Sequence, residues 1–89
     1  MKDFKSLEKV TKAIANRRRL AILSALKKKE ELIVWDIAER IKLSYKSTSK
    51  HLGVLFSAGL VDREQRGLEM WYRIIHPLHP LVKKLLELL

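Results

Sequence analysis

Residues 43–61, LSYKSTSKHLGVLFSAGLV, decide the fold. Within them Thr48, Leu52, Leu55 and Phe56 recur at i, i+4, i+7 and i+8, the spacing of one helix face turned to a core. Ser44 stands just before the run, where its hydroxyl can accept an orphan amide of the first turn. Gly59 stands just past it, where a left-handed residue stops a helix. The stretch predicts a helix over 45–58 that starts and ends on its own signals.

With that stripe inward, a rotation of about 100° per residue turns Lys46, Ser47, Lys50, Val54 and Ser57 outward and leaves Ser49 and His51 on the flanks. The outward face carries no carboxylate. Cations suit phosphates, hydroxyls suit base edges, and an aliphatic group can meet a thymine methyl. A solvated face normally mixes both signs, so this face points to nucleic acid.

Upstream, WDIAERIK (35–42) reads as a short helix with Ile37 and Ile41 inward, after an apolar run, Leu32 to Val34, suited to a brief strand. RRRLAILSALKKK (17–29) reads as a helix capped by Asn16, with Leu20, Leu23 and Leu26 inward and Lys27, Lys28 and Lys29 at its negative pole. DFKSLEKVTKAIA (3–15) sets Phe4, Leu7, Val10 and Ile14 on one stripe. Downstream the period changes to two. LVDREQ (60–65), a turn at Arg66-Gly67 and LEMWYRII (68–75) form a hairpin, with Leu68, Met70, Tyr72 and Ile74 on one face. A last helix starts at Pro80, where no amide is needed, and carries Leu81, Val82, Leu85, Leu86 and Leu89 on the stripe that Leu78 begins. The expected fold is α+β, mainly α with a small antiparallel β-hairpin, in the order α-α-(β)-α-α-β-β-α. That is a winged helix-turn-helix in a single domain over 1–89.

Composition narrows the function. Nineteen Lys and Arg against ten Asp and Glu leave a net charge of +9 on 89 residues, an excess that suits a polyanion. With no cysteine, disulfides, thiol catalysis and thiolate metal sites are excluded. No apolar run approaches the roughly 20 residues that span a bilayer, and no signal peptide is visible, which makes a cytoplasmic protein the expectation. No activated nucleophile, carboxylate pair or Gly-rich phosphate loop points to an enzyme. His76 and His79 are separated by Pro77 and straddle a helix start, a poor metal pair, so neither metal nor cofactor is expected.

Two basic clusters flank the central helix. Arg63, Gln65 and Arg66 lie near the hairpin tip, where a ribbon can follow a minor groove or a backbone. Arg17, Arg18 and Arg19 crowd the positive end of a helix, which disfavours them by a few tenths of a kcal/mol each. A phosphate held by helix amides and arginines would offset this; so would acidic partners elsewhere. Arg17 and Arg18 are candidate phosphate contacts, and Arg19, next to the inward Leu20, suits a structural role. The terminal helices offer more apolar surface than a chain this small buries. Phe4, Leu7, Val10, Leu78, Leu81, Val82, Leu85, Leu86 and Leu89 are the candidate interface of a homodimer.

The segments KAIANRRRLAIL (12–23), ELIVWDIAERIKLSYKSTSKHLGVLFSAGLVDRE (31–64) and RGLEMWYRI (66–74) resemble the ArsR-type, or arsenic-repressor, family of winged-helix transcription regulators. The likeness spans nearly the whole chain and is most specific from Leu43 to Val61. It implies a dimeric, sequence-specific binder of double-stranded DNA, a repressor, in a prokaryotic cytoplasm and nucleoid-associated. It places Tyr45, Lys46, Ser47, Thr48, Ser49, Lys50 and His51 at the DNA-reading positions, although periodicity turns Thr48 inward. Metal-sensing members carry two cysteines in the box that reads ELIVWDI here, at Ile33 and Trp35, and a second family site uses Asp and His on the last helix. Neither set is present, so metal sensing does not carry over, and the resemblance implies no particular effector. An architectural DNA-binding protein, or a winged-helix module for protein or RNA, is the alternative.

Overall fold

The computed structural model describes residues 3–89. Its elements are α1 (Phe4–Ile14), α2 (Arg17–Lys29), β1 (Glu31–Ile33), α3 (Val34–Ile41), α4 (Tyr45–Ser57), β2 (Val61–Arg66), β3 (Glu69–Ile74) and α5 (Pro80–Leu88). The order matches the α+β winged helix-turn-helix expected from the sequence. The helices start where side chains offer an acceptor. Asp3 Oδ1 takes the Ser6 amide, Asn16 Oδ1 takes those of Arg18 and Arg19, and Ser44 Oγ takes that of Ser47 at 3.1 Å. Pro80 opens α5, with His79 Nδ1 accepting from the Leu81 amide. α4 stops as its sequence signals: Gly59 adopts φ +76°, its amide bonds Phe56 O, and the Leu60 amide bonds Leu55 O. That pair of bonds is the Schellman motif.

The helices fold around Ile22, Leu23, Leu26, Ile37, Leu52, Leu55, Val61 and Val82, all fully buried. Three details differ from the periodicity. In α2, Ile22 is buried and Leu20 only half so, because α3, α4 and α5 all pack on this helix and widen its buried arc. In α4, Phe56 stays 37% exposed at the edge of the stripe, and the Arg63 guanidinium covers its ring, 3.9 Å from the centroid. The third concerns α1 and α5. Val10, Val82 and Leu86 are 4%, 1% and 8% exposed within the single chain, so they complete the protomer core and are not available to a partner. Phe4 and Leu7 are exposed, Leu78, Leu81, Leu85 and Leu89 are half-buried, and Leu88, which the stripe omitted, is 83% exposed.

The three strands form one antiparallel sheet in the order β1-β3-β2. β1 pairs along β3 with Leu32 opposite Tyr72, and β2 pairs with β3 from Val61 opposite Ile74 to Arg66 opposite Glu69. The turn is Gly67-Leu68, one residue beyond the expected Arg66-Gly67. A two-residue hairpin turn needs a positive φ at its first central residue, and Gly67 supplies +61°. Leu68 therefore leaves the strand's inner face and lies fully exposed at the tip. The sheet holds its hairpin against the helices and carries it outward beside α4, which it also contacts through β2.

Candidate nucleic-acid interface

α4 presents the expected face. Its seat is fixed at one end by the Ser44 cap, at the other by Gly59, and beneath by Leu52 and Leu55. Tyr45, Lys46, Lys50, Val54 and Ser57 are exposed, and Ser47 and Ser49 are half-buried. No carboxylate stands anywhere on the helix, and among the described residues no ion pair engages Lys46 or Lys50. Thr48 departs from the DNA-reading set. It is 0% exposed, one turn below Leu52 on the inward stripe, so it meets the core and not a groove. Its Oγ1 has no hydrogen-bond partner among the described residues.

His51 turns sideways. Its Nδ1 lies 3.2 Å from Arg19 Nη1; a guanidinium can only donate, so that ring nitrogen accepts and the imidazole is neutral. Burial lowers the His51 pKa from its ordinary value, and the charges of Arg19 and Arg18 lower it further. Arg19 also donates through Nε to Ala13 O and through Nη2 to Lys12 O. It thus caps the negative end of α1 while starting α2, which offsets its unfavourable place at the latter's positive pole. Neither phosphate nor carboxylate is needed to explain Arg19. Arg17 and Arg18 form no ion pair among the described residues and remain at the α2 N-terminus, Arg17 exposed and Arg18 half-buried.

The hairpin divides its basic residues. Arg66 reaches back across the sheet. Nη1 and Nη2 grip both Glu31 oxygens at 2.8 and 3.1 Å, and Nη2 bonds Glu64 Oε1 at 2.6 Å. These bonds hold the Glu31 carboxyl below its usual pKa and raise that of Arg66. Arg73 extends the cluster to Asp62 at 3.4 Å. Arg66 thus stands between two carboxylates at an exposed edge of the sheet. Among the described residues Arg63 has no carboxylate partner; it lies on Phe56, at the junction of the hairpin with α4. Gln65 bonds Gly67 O and braces the turn.

Beside α4 stands an aromatic pair that periodicity could not find. Trp35, 66% exposed at the start of α3, lies 4.6 Å centroid to centroid from Tyr45 at the start of α4. Ile33 and Trp35, which the resemblance sets against the cysteines of metal-sensing members, carry no group that ligates a metal. Among the described residues no cluster of three His, Asp or Glu side chains could hold one either. A cavity of about 690 Å³ opens between α2, β3 and α5, but no residue of α4 lines it, and two of its cations are engaged: Lys27 bonds Leu86 O at 2.6 Å and Arg73 belongs to the sheet cluster. No described helix is long and apolar enough to cross a membrane.

A capped helix stepping off α3 at a tight turn, with a hairpin at its side, defines a winged helix-turn-helix regulator. The chain belongs to the arsR family of bacterial regulatory proteins, whose family model matches residues 16–63. It is similar to the cadmium resistance transcriptional regulatory protein CadC of Listeria innocua, 38% identical over 72 residues that cover 81% of this chain and 60% of that protein. The chain spans about three-fifths of the length of such curated relatives. HlyU of Vibrio cholerae superposes with a TM-score of 0.81 at 33% identity, covering 98% of this chain and 90% of that one. A homodimeric winged helix-turn-helix DNA-binding domain from Mycobacterium bovis superposes at 0.80 with 34% identity, covering 96% and 75%.

Proposed function

We propose that the chain is a homodimeric, sequence-specific binder of double-stranded DNA that regulates transcription as a repressor and does not sense metal. The carboxylate-free outward face of α4 carries this reading. Lys46, Ser47, Ser49 and Lys50 enter the major groove; Lys50 takes phosphate, and Ser47 reads a base edge. Arg63 and the α2 arginines Arg17 and Arg18 hold the flanking backbone. The exposed Phe4, Leu7 and Leu88, with the half-buried Leu81, Leu85 and Leu89, supply an apolar surface for a second copy. The homodimeric Mycobacterium bovis domain supports this pairing. Two copies then present two α4 helices to half-sites about one helical turn apart. The absence of cysteine from the chain separates it from thiolate-based sensing. Catalysis has no part in this reading.

The test is selection of bound sites from random duplex DNA. Enrichment of a two-fold symmetric sequence with that spacing is expected. Binding without enrichment would favour an architectural role, and no duplex binding would overturn the reading.

A further inference from the structure

One feature of α4 serves nothing inside the protomer. Gly53 sits in the middle of the helix, where glycine is less favourable than alanine, yet a Cβ built there meets no atom within 4 Å. Neither crowding nor backbone conformation calls for glycine. Gly53 opens onto a groove of about 520 Å³ between α4 and α1, whose wall includes Lys9, Lys12, Lys50, Gly53, Val54 and Ser57 and holds no carboxylate. Lys5, Lys9 and Lys12 follow at i, i+4 and i+7 along α1, one helix face. Lys9 has no ion-pair partner among the described residues. Lys12 has only Glu8 at 3.9 Å, both side chains well exposed, and such a pair contributes little. Lys50 belongs both to this groove and to the outward face of α4.

We infer that the groove between α1 and α4 seats a sugar–phosphate strand of the bound duplex, with Lys9 and Lys12 as further phosphate contacts and Gly53 as the point of close approach. The inference rests on the DNA-binding reading above and extends the contact surface from α4 to the first helix. Charge complementarity selects the occupant. Three lysines around glycine, serine, alanine and one valine repel another copy of a +9 chain and suit a strand whose charge repeats along its length. With no side chain at Gly53, that strand can lie against the helix, where a larger residue would hold it off.

The experiment measures affinity for a selected duplex and a scrambled one across a salt series. Lys9→Ala with Lys12→Ala removes two contacts from each of the two copies, so it should flatten the slope of log affinity against log salt by about four and weaken both duplexes by the same factor. Gly53→Gln should raise the thermal midpoint by several degrees, about what a better helix former contributes in a domain of this size, and yet weaken both duplexes. An unchanged slope, or Gly53→Gln with full affinity, overturns the inference while wild-type binding upholds the DNA reading. A wild type that binds no duplex overturns both. Lysine variants that change sedimentation and not the slope would assign the groove to an interface between copies, against the inference.

Discussion

Replacement of Thr48 by valine should stabilise the protein and leave DNA binding untouched. Thr48 is completely buried and its hydroxyl has no partner among the described residues. An unsatisfied buried hydroxyl costs about 1–3 kcal/mol. Valine keeps the β-branched shape and has similar helix propensity, so the exchange removes the penalty without opening a cavity. A gain of about 1 kcal/mol or more is expected, and each kcal/mol raises the midpoint by about 4–8 °C in a domain of this size. Thr48→Ser, which keeps the hydroxyl and deletes the methyl, should lose about 1 kcal/mol. Thermal and urea unfolding at one fixed protein concentration measure both, because a dimer's midpoint depends on concentration. Affinity for a selected duplex should match wild type within about twofold, well under the roughly 1.4 kcal/mol of a tenfold change. Loss of stability in Thr48→Val would show that the hydroxyl is satisfied. Loss of affinity with stability intact would show that Thr48 reads DNA after all.

Further outcomes check other parts of the account. Arg63→Ala, which removes one contact from each copy of the dimer, should flatten the salt slope by about two, whereas Arg66→Ala, whose charge is already met by Glu31 and Glu64, should leave it nearly unchanged; affinity titrations at several salt concentrations separate them. Phe4→Glu with Leu88→Glu should give folded monomers by sedimentation and circular dichroism, because neither side chain belongs to the core, whereas Leu86→Glu should unfold the chain. His51 has a lowered pKa in the fold, so the folded state binds fewer protons than the unfolded one just below the ordinary value of 6.5. Its neutral form therefore contributes fully above that pH and the contribution is lost as pH falls through the lowered value; His51→Gln should flatten that part of the stability profile, read by urea midpoints from pH 7 downward. A strong chelator should change neither stability nor duplex affinity, and a stoichiometric metal in the purified protein would contradict the reading of Ile33 and Trp35.

The sequence made local events legible because their causes are local. Asn16, Ser44 and Pro80 start helices and Gly59 ends one through groups within four residues of the boundary. Periodicity likewise placed Thr48 inward, against its place among the family's DNA-reading positions, since 3.6 residues per turn leave it no other face. Legibility failed where partners are distant. Arg66 meets Glu31, 35 residues away, only because β3 lies between β1 and β2. Arg19 is explained by the carbonyls at the end of α1 and by His51, which no charge count reveals. Val10, Val82 and Leu86 share a stripe with surface leucines, and only the packing of α1 and α5 on the other helices says which rows the protomer keeps. The lysine groove needs two helices side by side, and α1 alone reads as an ordinary solvated face.

The central claim is that the outward face of α4 reads base sequence in duplex DNA. Its most direct test is the ratio of affinities for a selected site and a scrambled duplex at one salt concentration, for wild type and for the Lys46→Ala, Ser47→Ala double variant. The account predicts a wild-type ratio of about 10³ or more, reduced at least tenfold in the variant with the fold unchanged. A wild-type ratio near one, or an undiminished ratio in the variant, would contradict it.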